Sequence, residues 1–440
     1  MVGTVTVPGS SAGSVVHVTS GAAANTSLAL QIAATIDVAK TAGFLVTKDF
    51  GATTPLLPGQ IGQIADTVTG STASFAPGYT FLTVGDGVTA TVNGAAGTQV
   101  LAGDGGLTYL GVAGSQTVTS AGSTDNIQLV AGSTGLVALG NSGTVSSAGS
   151  HSTILGGSGT LSVTEMGSFD TVAAGLGAAT IVSSGSSNLI LSGTGNLTLF
   201  ETGSNDSIVA GAGNPGVGSA TINAAGASNL MVFDGTANLT FIGGSGSATV
   251  VASSGSHDVV MAGTGPLVFS GGGGQATITG GSGGSTLFGG SGGTINFNNS
   301  AGNSVFVAGA GSETLNAAGS STNNIFWGGT GPDVMIGGSG NDTLVAGGMS
   351  DTLTGGGGSD NFVFFKGVIS GSAPTDIVKD FSSTADGVLL SGYSSAEAGN
   401  AIATATSAGG STTLTLSDNT KITFLGVNSA SSLAGRVLSG

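Results

Sequence analysis

Residues 328–363 read GGTGPDVMI GGSGNDTLV AGGMSDTLT GGGGSDNFV, which is four consecutive units of nine residues. Each unit has a turn rich in glycine, an aspartate at its sixth place and a short apolar segment after the aspartate. A nine-residue period does not keep one face of an α-helix, but a turn of about six residues followed by a strand of about three does repeat in this way. Residues 328–363 therefore predict stacked β-strands joined by tight turns.

The same period extends toward the N-terminus with more variable turns. Steps of nine residues from Val100 to Ile208 reach an apolar residue at every position. The series is Val100, Tyr109, Val118, Ile127, Leu136, Val145, Ile154, Val163, Val172, Ile181, Ile190, Leu199 and Ile208. Two units would make one coil of about 18 residues, with the apolar residue inside and glycine allowing the turn. We therefore expect an all-β fold, a long parallel β-roll or β-solenoid whose coils bury their core by stacking.

Composition excludes several classes of partner. The chain has 440 residues, of which 85 are glycine, 39% are hydrophobic and only 6% are charged. The net charge is −16, and no lysine or arginine lies between Phe50 and Phe365. Nucleic acids and anionic membranes are recognised by basic patches, so we expect neither nucleic-acid binding nor membrane insertion. The absence of cysteine excludes disulfides and thiolate metal sites.

The aspartates at the sixth place are candidate calcium ligands. Ca²⁺ prefers six or more hard oxygen ligands, and glycine-rich turns expose backbone carbonyls beside each carboxylate. Successive units alternate between two edges of the roll, so Asp333 and Asp351 would share one edge while Asp342 and Asp360 share the other. The candidate metal-binding residues are Asp333, Asp342, Asp351, Asp360, Gly328, Gly331, Gly337 and Gly340. The alternative is that these aspartates only cap their turns by local hydrogen bonds.

The four units resemble the RTX nonapeptide G-G-x-G-x-D-x-U-x of secreted toxins, proteases, lipases and surface-layer proteins. Residues 328–345 fit this pattern completely, whereas the glycines of residues 346–354 are displaced by one place. The resemblance implies bound Ca²⁺ and a secreted bacterial protein that is extracellular or lies at the cell surface.

Upstream, the sixth place is mostly not aspartate. From Ser147 onward one edge carries Ser152, Asp170, Asn188 and Asp206, and the other carries Leu161, Ala179 and Leu197. Because serine and asparagine interrupt the carboxylates, we expect a stacked hydrogen-bonding ladder on the first edge rather than calcium sites. The apolar edge is compatible with a place in the core, which we favour, or with a contact to another molecule.

The C-terminal tail resembles the end of RTX proteins that type I systems export. Residues 361–365, 376–381 and 387–391 read NFVFF, DIVKDF and GVLLS and follow that pattern, although Ile377 comes directly after Asp376. The resemblance implies an uncleaved C-terminal signal for type I export machinery. It agrees with an N-terminus that lacks the features of a Sec signal peptide.

The two ends contain the remaining predicted elements. We expect a hairpin over 412–424 with its turn at Asp418 and Asn419, and a short terminal helix over 429–438. Apolar residues at helical spacing predict a helix over 26–41. Residues 2–7 and 15–18 alternate like strands. They would either add to the sheet of a neighbouring molecule or fold back as a cap on their own solenoid.

No catalytic constellation is recognisable. The three histidines, His17, His151 and His257, do not form an H-E-x-x-H motif. The G-x-S-x-G match at 280–284 lacks the strand and helix that would make it a nucleophile elbow. No separate enzyme domain fits before residue 84. We therefore expect a protein that is not an enzyme.

The chain divides into four predicted regions. They are an N-terminal cap or assembly domain (1–83), a degenerate nonapeptide solenoid (84–327), a calcium-binding RTX β-roll (328–363) and a C-terminal cap with the export signal (364–440). These parts suit a self-assembling extracellular structural protein, in a surface layer or a filament, whose main partner is itself, head-to-tail or in a lattice. The alternative is a calcium-dependent surface adhesin. A cell-surface polysaccharide is a further expected partner.

Overall fold

A computed structural model describes residues 3–11, 13–20, 23–49, 55–211, 218–235, 238–253, 257–299, 301–367 and 373–440. The chain divides into two compact units, Met1–Ile222 and Asn223–Gly440. None of the helices in these described stretches is long and apolar enough to cross a membrane.

The N-terminal unit begins with a hairpin and a helix. Strand β1 (Gly3–Pro8) pairs antiparallel with β2 (Val15–Ser20), and helix α1 (Ala23–Thr41) follows, which confirms the predicted helix. Val5 and Val16 from the hairpin, Ile36 from the helix and Phe81 from a later strand belong to one buried cluster. The hairpin is thus packed on its own chain, as the cap interpretation expects. Val2 lies outside the described residues.

The rest of the N-terminal unit is built from short parallel strands. They are β3 (Leu45–Asp49), β4 (Ile61–Asp66), β5 (Ser71–Ser74), β6 (Tyr79–Val84), β7 (Ala90–Asn93), β8 (Thr98–Ala102), β9 (Leu107–Leu110), β10 (Gly114–Ser120), β11 (Asp125–Leu129), β12 (Ser133–Leu139), β13 (Gly143–Ser147), β14 (Thr153–Leu155), β15 (Leu161–Glu165), β16 (Thr171–Ala173), β17 (Ala179–Ser183), β18 (Leu189–Leu191), β19 (Leu197–Glu201) and β20 (Ser207–Ala210), with β21 (Ser219–Ala224) at the unit boundary.

These strands form two parallel sheets. β3 pairs with β4, and the even strands from β4 to β20 then pair in order. The odd strands from β5 to β19 pair in the same way. From β4 onward consecutive strands lie in different sheets, so each pair of strands makes one coil of a parallel solenoid.

The apolar series points inward with one exception. Every residue of the nine-residue series from Val100 to Ile208 is buried except Leu136. The connection before β12 is one residue longer than the period predicts and the connection after it is one residue shorter, so Val137 takes the inward place and pairs with Val118 and Ile154. On the apolar edge, Leu161, Ala179 and Leu197 are at most 3% exposed, which confirms that they belong to the core.

The C-terminal unit repeats this architecture. Its elements are β22 (Leu230–Asp234), β23 (Asn238–Gly243), β24 (Ala248–Val251), β25 (His257–Met261), β26 (Leu267–Ser270), β27 (Gln275–Thr279), β28 (Ser285–Phe288), β29 (Ile295–Asn298), β30 (Ser304–Val307), β31 (Thr314–Asn316), β32 (Ile325–Trp327), β33 (Val334–Ile336), β34 (Thr343–Val345), β35 (Thr352–Thr354), β36 (Asn361–Phe365), β37 (Thr375–Val378), β38 (Gly387–Ser391), α2 (Glu397–Ala403), β39 (Thr406–Ala408), β40 (Ser411–Thr415), β41 (Lys421–Leu425), a 3₁₀ turn (Ala430–Leu433) and β42 (Val437–Ser439).

Two parallel sheets again enclose the core of this unit. The even strands from β22 to β38 pair in order and end on β42. The odd strands from β23 to β37 pair likewise and end on β41. Several inward places hold phenylalanine, including Phe241, Phe269, Phe306 and Phe362. The predicted all-β parallel solenoid is confirmed.

The C-terminal end differs from expectation in one element. The hairpin is confirmed, because β40 and β41 pair antiparallel and Asn419 in their turn has a φ of 70°. The predicted terminal helix over 429–438 is wrong beyond its first turn. Gly435 adopts a φ of 77°, which ends helical geometry, and Val437 pairs with Val388 so that β42 extends the sheet.

Candidate metal centre

The four predicted aspartates lie at equivalent places in consecutive coils. Asp333, Asp342, Asp351 and Asp360 each follow a glycine-rich turn and directly precede strands β33, β34, β35 and β36. All four are at most 2% exposed. Each side chain is buried because the neighbouring coils stack directly above and below its turn.

Hydrogen bonds connect these aspartates from coil to coil. The Oδ1 atom of Asp351 accepts the backbone N–H of Asp333 at 2.8 Å. The Oδ1 atom of Asp360 accepts the backbone N–H of Asp342 at 2.8 Å. The prediction that alternate aspartates share an edge is therefore confirmed.

The two edges continue beyond the four predicted residues. Asp376 accepts the N–H of Asp351 at 2.9 Å, and Asp386 accepts the N–H of Asp360 at 3.0 Å. In the other direction, the N–H of Glu313 donates to Asp333 at 2.9 Å. One edge thus holds Glu313, Asp333, Asp351 and Asp376, and the other holds Asn324, Asp342, Asp360 and Asp386.

The nine-residue repeat does not predict Glu313, Asp376 and Asp386, because their spacing departs from it. They lie 20, 25 and 26 residues from the next acidic residue on their edge. The signal they retain is an acidic residue just before an apolar strand, as in Glu313-Thr-Leu and Asp376-Ile-Val.

The glycine at the second place of a unit donates its backbone N–H to the aspartate of the same unit. The Oδ2 atom of Asp342 accepts the N–H of Gly338 at 2.7 Å, and that of Asp351 accepts the N–H of Gly347 at 2.7 Å. In the last unit, Gly356 instead donates to Asp380 at 2.8 Å. Asp342 and Asp351 therefore do cap their own turns. The Oδ2 atom of Asp360 accepts no hydrogen bond from the described residues.

The four predicted glycines mark places where coils touch. A Cβ atom on Gly337 would lie 2.5 Å from Oδ2 of Asp342 and 2.2 Å from the carbonyl oxygen of Gly355. A Cβ on Gly328 would lie 3.1 Å from Oδ2 of Asp351. Equivalent Cβ atoms on Gly331 and Gly340 would lie 1.5 Å and 2.4 Å from the carbonyl oxygens of Gly311 and Thr322. Glycine thus leaves carbonyl and carboxylate oxygens next to one another.

Burial disfavours the ionised form of these carboxylates. It raises the pKa of Asp351 and of Asp376 to about 7 and that of Asp360 to about 6. Burial and the adjacent Asp333 raise the pKa of Glu313 as well. No lysine or arginine lies between residues 50 and 365, the stretch that contains Glu313, Asp351 and Asp360.

The residues present fit Ca²⁺. Among the described residues, no group donates a hydrogen bond to Oδ2 of Asp360 or to either carboxylate oxygen of Glu313, and all three atoms are buried. In the same part of the chain, no three acidic, histidine or cysteine side chains gather into one cage. Pairs of carboxylates on one edge, together with turn carbonyls, would hold the ion. Bound calcium would supply the positive charge that these edges lack.

A comparison with protein families agrees with this geometry. The model of the RTX calcium-binding nonapeptide repeat (4 copies) matches residues 318–353 and 336–363. No curated protein and no solved structure was found to match the chain. RTX nonapeptides are calcium-binding motifs, so Ca²⁺ is the metal of these repeats. With its nonapeptide repeats and its parallel solenoid, the chain is an RTX-type calcium-binding repeat protein.

Proposed function

We propose that this protein is a self-assembling extracellular structural protein, in a surface layer or a filament, whose solenoid calcium stabilises. The proposal includes a structural rather than a catalytic role. The observation that carries it is a band of exposed apolar side chains on the outer face of one sheet in the C-terminal unit. We call this band the apolar stripe.

The apolar stripe follows the even strands from β22 to β38. Its members are between 36% and 44% exposed: Met231, Phe233, Val268, Phe288, Val305, Val307, Ile325, Trp327, Phe365 and Leu389. Trp327 stacks on Phe365, with ring centroids 6.1 Å apart. Neighbouring strands of a sheet are about 4.8 Å apart, so the stripe extends over several coils.

A second copy of the chain is the occupant that this surface suits best. Contiguous exposed apolar surface usually marks an interaction site. Two copies of a protein with a net charge of −16 repel each other electrostatically. The apolar stripe carries no charged side chain. An uncharged strip is where that repulsion is smallest. Copies would therefore associate side by side through their stripes.

Electron microscopy and light scattering of the full chain in calcium test this assembly. The wild type should form ordered assemblies, and the variant Phe233→Ser/Phe288→Ser/Trp327→Ser should remain monomeric. A matched control is Val182→Ser/Phe200→Ser, because these side chains are 41% and 45% exposed on the outer face of the N-terminal unit. A calcium titration by circular dichroism shows whether each variant folds. A wild type that stays monomeric, or a folded stripe variant that assembles normally, contradicts the proposal.

A calcium-dependent adhesin is the second candidate, and one observation favours it. An open groove of about 580 Å³ runs across strands of the N-terminal unit. Hydroxyl and amide groups line it, among them Thr124, Asn126, Ser142, Thr144, Thr160 and Ser162. Such a row could hydrogen-bond a cell-surface polysaccharide. Retention of the monomeric stripe variant on polysaccharide-coated beads in calcium, with release in EGTA, would favour the adhesin.

We further propose export by a type I system with residues 364–440 as the signal. RTX repeat proteins are generally exported in this way. Because β37 and β38 complete the solenoid, deleting the tail would also damage the fold. A cleaner test fuses residues 364–440 to a cytosolic reporter in cells that carry type I machinery. The reporter should reach the medium, and its retention in the cytosol would contradict this proposal.

A further inference from the structure

A second group of buried acidic residues lies in the N-terminal unit, far in sequence from the RTX repeats. Residues 165–170 read EMGSFD and residues 201–206 read ETGSND, with SSGSSN at 183–188 between them. We call Glu165, Asp170, Asn188, Glu201 and Asp206 the carboxylate column. The glutamates end strands β15 and β19, and the other three residues directly precede β16, β18 and β20. All five are at most 2% exposed.

Hydrogen bonds make this column continuous from coil to coil. The N–H of Asp170 donates to Oδ1 of Asn188 at 2.9 Å, and the N–H of Asn188 donates to Oδ1 of Asp206 at 2.7 Å. The side-chain amide of Asn188 donates to Oε2 of Glu165 at 2.8 Å. The expected ladder is therefore confirmed. It also includes two glutamates that the sixth-place pattern did not contain.

Three carboxylate oxygens of the column have no hydrogen-bond donor. They are Oδ2 of Asp170, Oε2 of Glu201 and Oδ2 of Asp206, each buried and without a partner among the described residues. The Oε1 atoms of Glu165 and Glu201 accept the N–H groups of Gly167 and Gly203 instead. Unpaired anionic oxygens are costly to bury, so the column needs a source of positive charge.

Backbone carbonyls lie beside these oxygens. A Cβ atom on Gly203 would lie 2.7 Å from Oδ2 of Asp206, 3.0 Å from Oε1 of Glu201 and 1.9 Å from the carbonyl oxygen of Gly185. A Cβ on Gly167 would lie 2.5 Å from Oδ2 of Asp170 and against the carbonyl of Gly149. At both glycines, carboxylate and carbonyl oxygens therefore lie so close to the backbone that only glycine fits there.

Protons or cations are the two ways to neutralise the column. Burial raises the pKa of Glu201 to about 7 and that of Asp206 to about 6, and burial with the adjacent Asp170 raises the pKa of Glu165. Protons alone would leave part of this charge uncompensated near pH 7. No lysine or arginine lies between residues 50 and 365. Hard oxygens of mixed carboxylate and carbonyl type are the donor set that Ca²⁺ prefers.

We propose that the carboxylate column binds divalent cations of the calcium class, one beside Glu165 and Asp170 and another beside Glu201 and Asp206. Turn carbonyls of the adjacent coils complete each site. Both sites lie outside residues 318–363, which the RTX model matches. They are independent of the self-assembly proposed above, so either proposal can fail without the other.

The main test replaces the four carboxylates by amides of the same shape. Full-length Glu165→Gln/Asp170→Asn/Glu201→Gln/Asp206→Asn is compared with the wild type in calcium and in EGTA. Bound calcium per chain is measured by elemental mass spectrometry, and hydrogen exchange is followed over 161–210 and 328–391. We expect the variant to lose bound calcium and to lose calcium-dependent protection in 161–210 only. Asp37→Asn/Asp49→Asn/Asp104→Asn, which removes exposed carboxylates, should change neither measurement.

Asn188→Asp separates cation binding from a purely hydrogen-bonded or proton-sharing column. A third carboxylate between the two pairs should destabilise residues 161–210 in EGTA and be tolerated in calcium. Equal destabilisation in both solutions would overturn the proposal. So would a wild type whose 161–210 segment exchanges alike with and without calcium, or an amide variant that retains all its calcium. If the fourfold variant does not fold, Glu201→Gln/Asp206→Asn alone is measured in the same way.

Discussion

The carboxylate column and the RTX repeats share one hydrogen bond and differ in the next. In both, the residue at the sixth place accepts the backbone N–H of its counterpart one coil earlier. In the RTX repeats, the second oxygen of an aspartate such as Asp342 also accepts the N–H of the glycine four residues earlier. In the column, the residue four places before Asp170 is Met166, whose N–H donates to the carbonyl of Ser147 at 2.8 Å.

This difference shows that the residues at the first two places of a unit determine how its carboxylate oxygens are hydrogen-bonded. Glycine at the second place lets the aspartate close its own turn. Where the first place holds a glutamate, the glutamate accepts the turn amide, as Glu201 accepts the N–H of Gly203. The Oδ2 atom of Asp206 then has no donor. One backbone ladder therefore supports two arrangements of carboxylates, and only one of them matches the nonapeptide motif.

The largest expected effect that separates the two regions comes from removing the RTX aspartates. Asp333→Ala/Asp342→Ala/Asp351→Ala/Asp360→Ala should abolish the calcium-induced β signal of residues 328–440 and leave 161–210 protected in calcium. An ion at 100 times its dissociation constant stabilises a site by about 2.7 kcal/mol, so the loss of several sites should unfold this segment. Circular dichroism and hydrogen exchange measure the effect. An unchanged titration would show that these aspartates only cap turns.

The next effect is a pH dependence that calcium reverses. Burial raises the pKa of Asp351 and Asp376 from 3.8 to about 7, so without calcium their protonated forms favour the folded state. This stability is complete below pH 3.8 and is lost as the pH rises toward 7. In EGTA, the Tm of the C-terminal unit should therefore fall from pH 5 to pH 8. In calcium it should rise over that range, because protons compete with the ion. Calorimetry showing the same slope in both solutions would contradict this account.

A smaller effect tests the stacking of glycines in the column. Gly203→Ala should destabilise the N-terminal unit by about 3 kcal/mol, because its Cβ would lie 1.9 Å from the carbonyl oxygen of Gly185. The control is Gly399→Ala in helix α2, where the new Cβ meets nothing within 4 Å and should stabilise by about 0.5–1 kcal/mol. Denaturant unfolding of each variant measures both signs. If Gly203→Ala leaves the unfolding free energy unchanged, the coils are not in direct contact at Gly203.

The smallest effect tests the register of strand β12. Val137 is fully buried and Leu136 is half-buried. Val137→Ala should cost about 2 kcal/mol of unfolding free energy, and Leu136→Ala clearly less although leucine loses more atoms. The reverse order in urea denaturation would place Leu136 inside, as the strict nine-residue period predicts.

The nine-residue period predicted the solenoid because it reports a physical repeat, an inward side chain followed by a turn. It failed at Leu136, because the connection before β12 is one residue longer than the period and Val137 takes the inward place instead. It also did not contain Glu313, Asp376 or Asp386, since long connections bring these residues to the edges from outside the repeat.

The glutamates of the carboxylate column were not predicted from the sequence for a different reason. Glu165 and Glu201 end their strands, and only the stacking of coils places them beside the sixth-place residues. Inward and outward faces alternate along a strand, but the charge of a buried edge depends on which residues the coils bring together. The sequence pattern therefore predicts the backbone better than it predicts the electrostatics of its edges.

The hydrogen-bond ladder has a polarity. Along the ladder of sixth-place residues, the backbone N–H of one coil donates to a side chain of the coil that follows it, as from Ser152 to Asp170 and from Asp360 to Asp386. The sixth-place amide of each such coil therefore has its side-chain acceptor in the next coil along the chain. In the C-terminal unit, Asp376 and Asp386 from the tail accept the amides of Asp351 and Asp360, so these two amides stay without their side-chain acceptors until the tail has been synthesised. We therefore expect these two edges to complete their folding only after residues 376–386 have been synthesised.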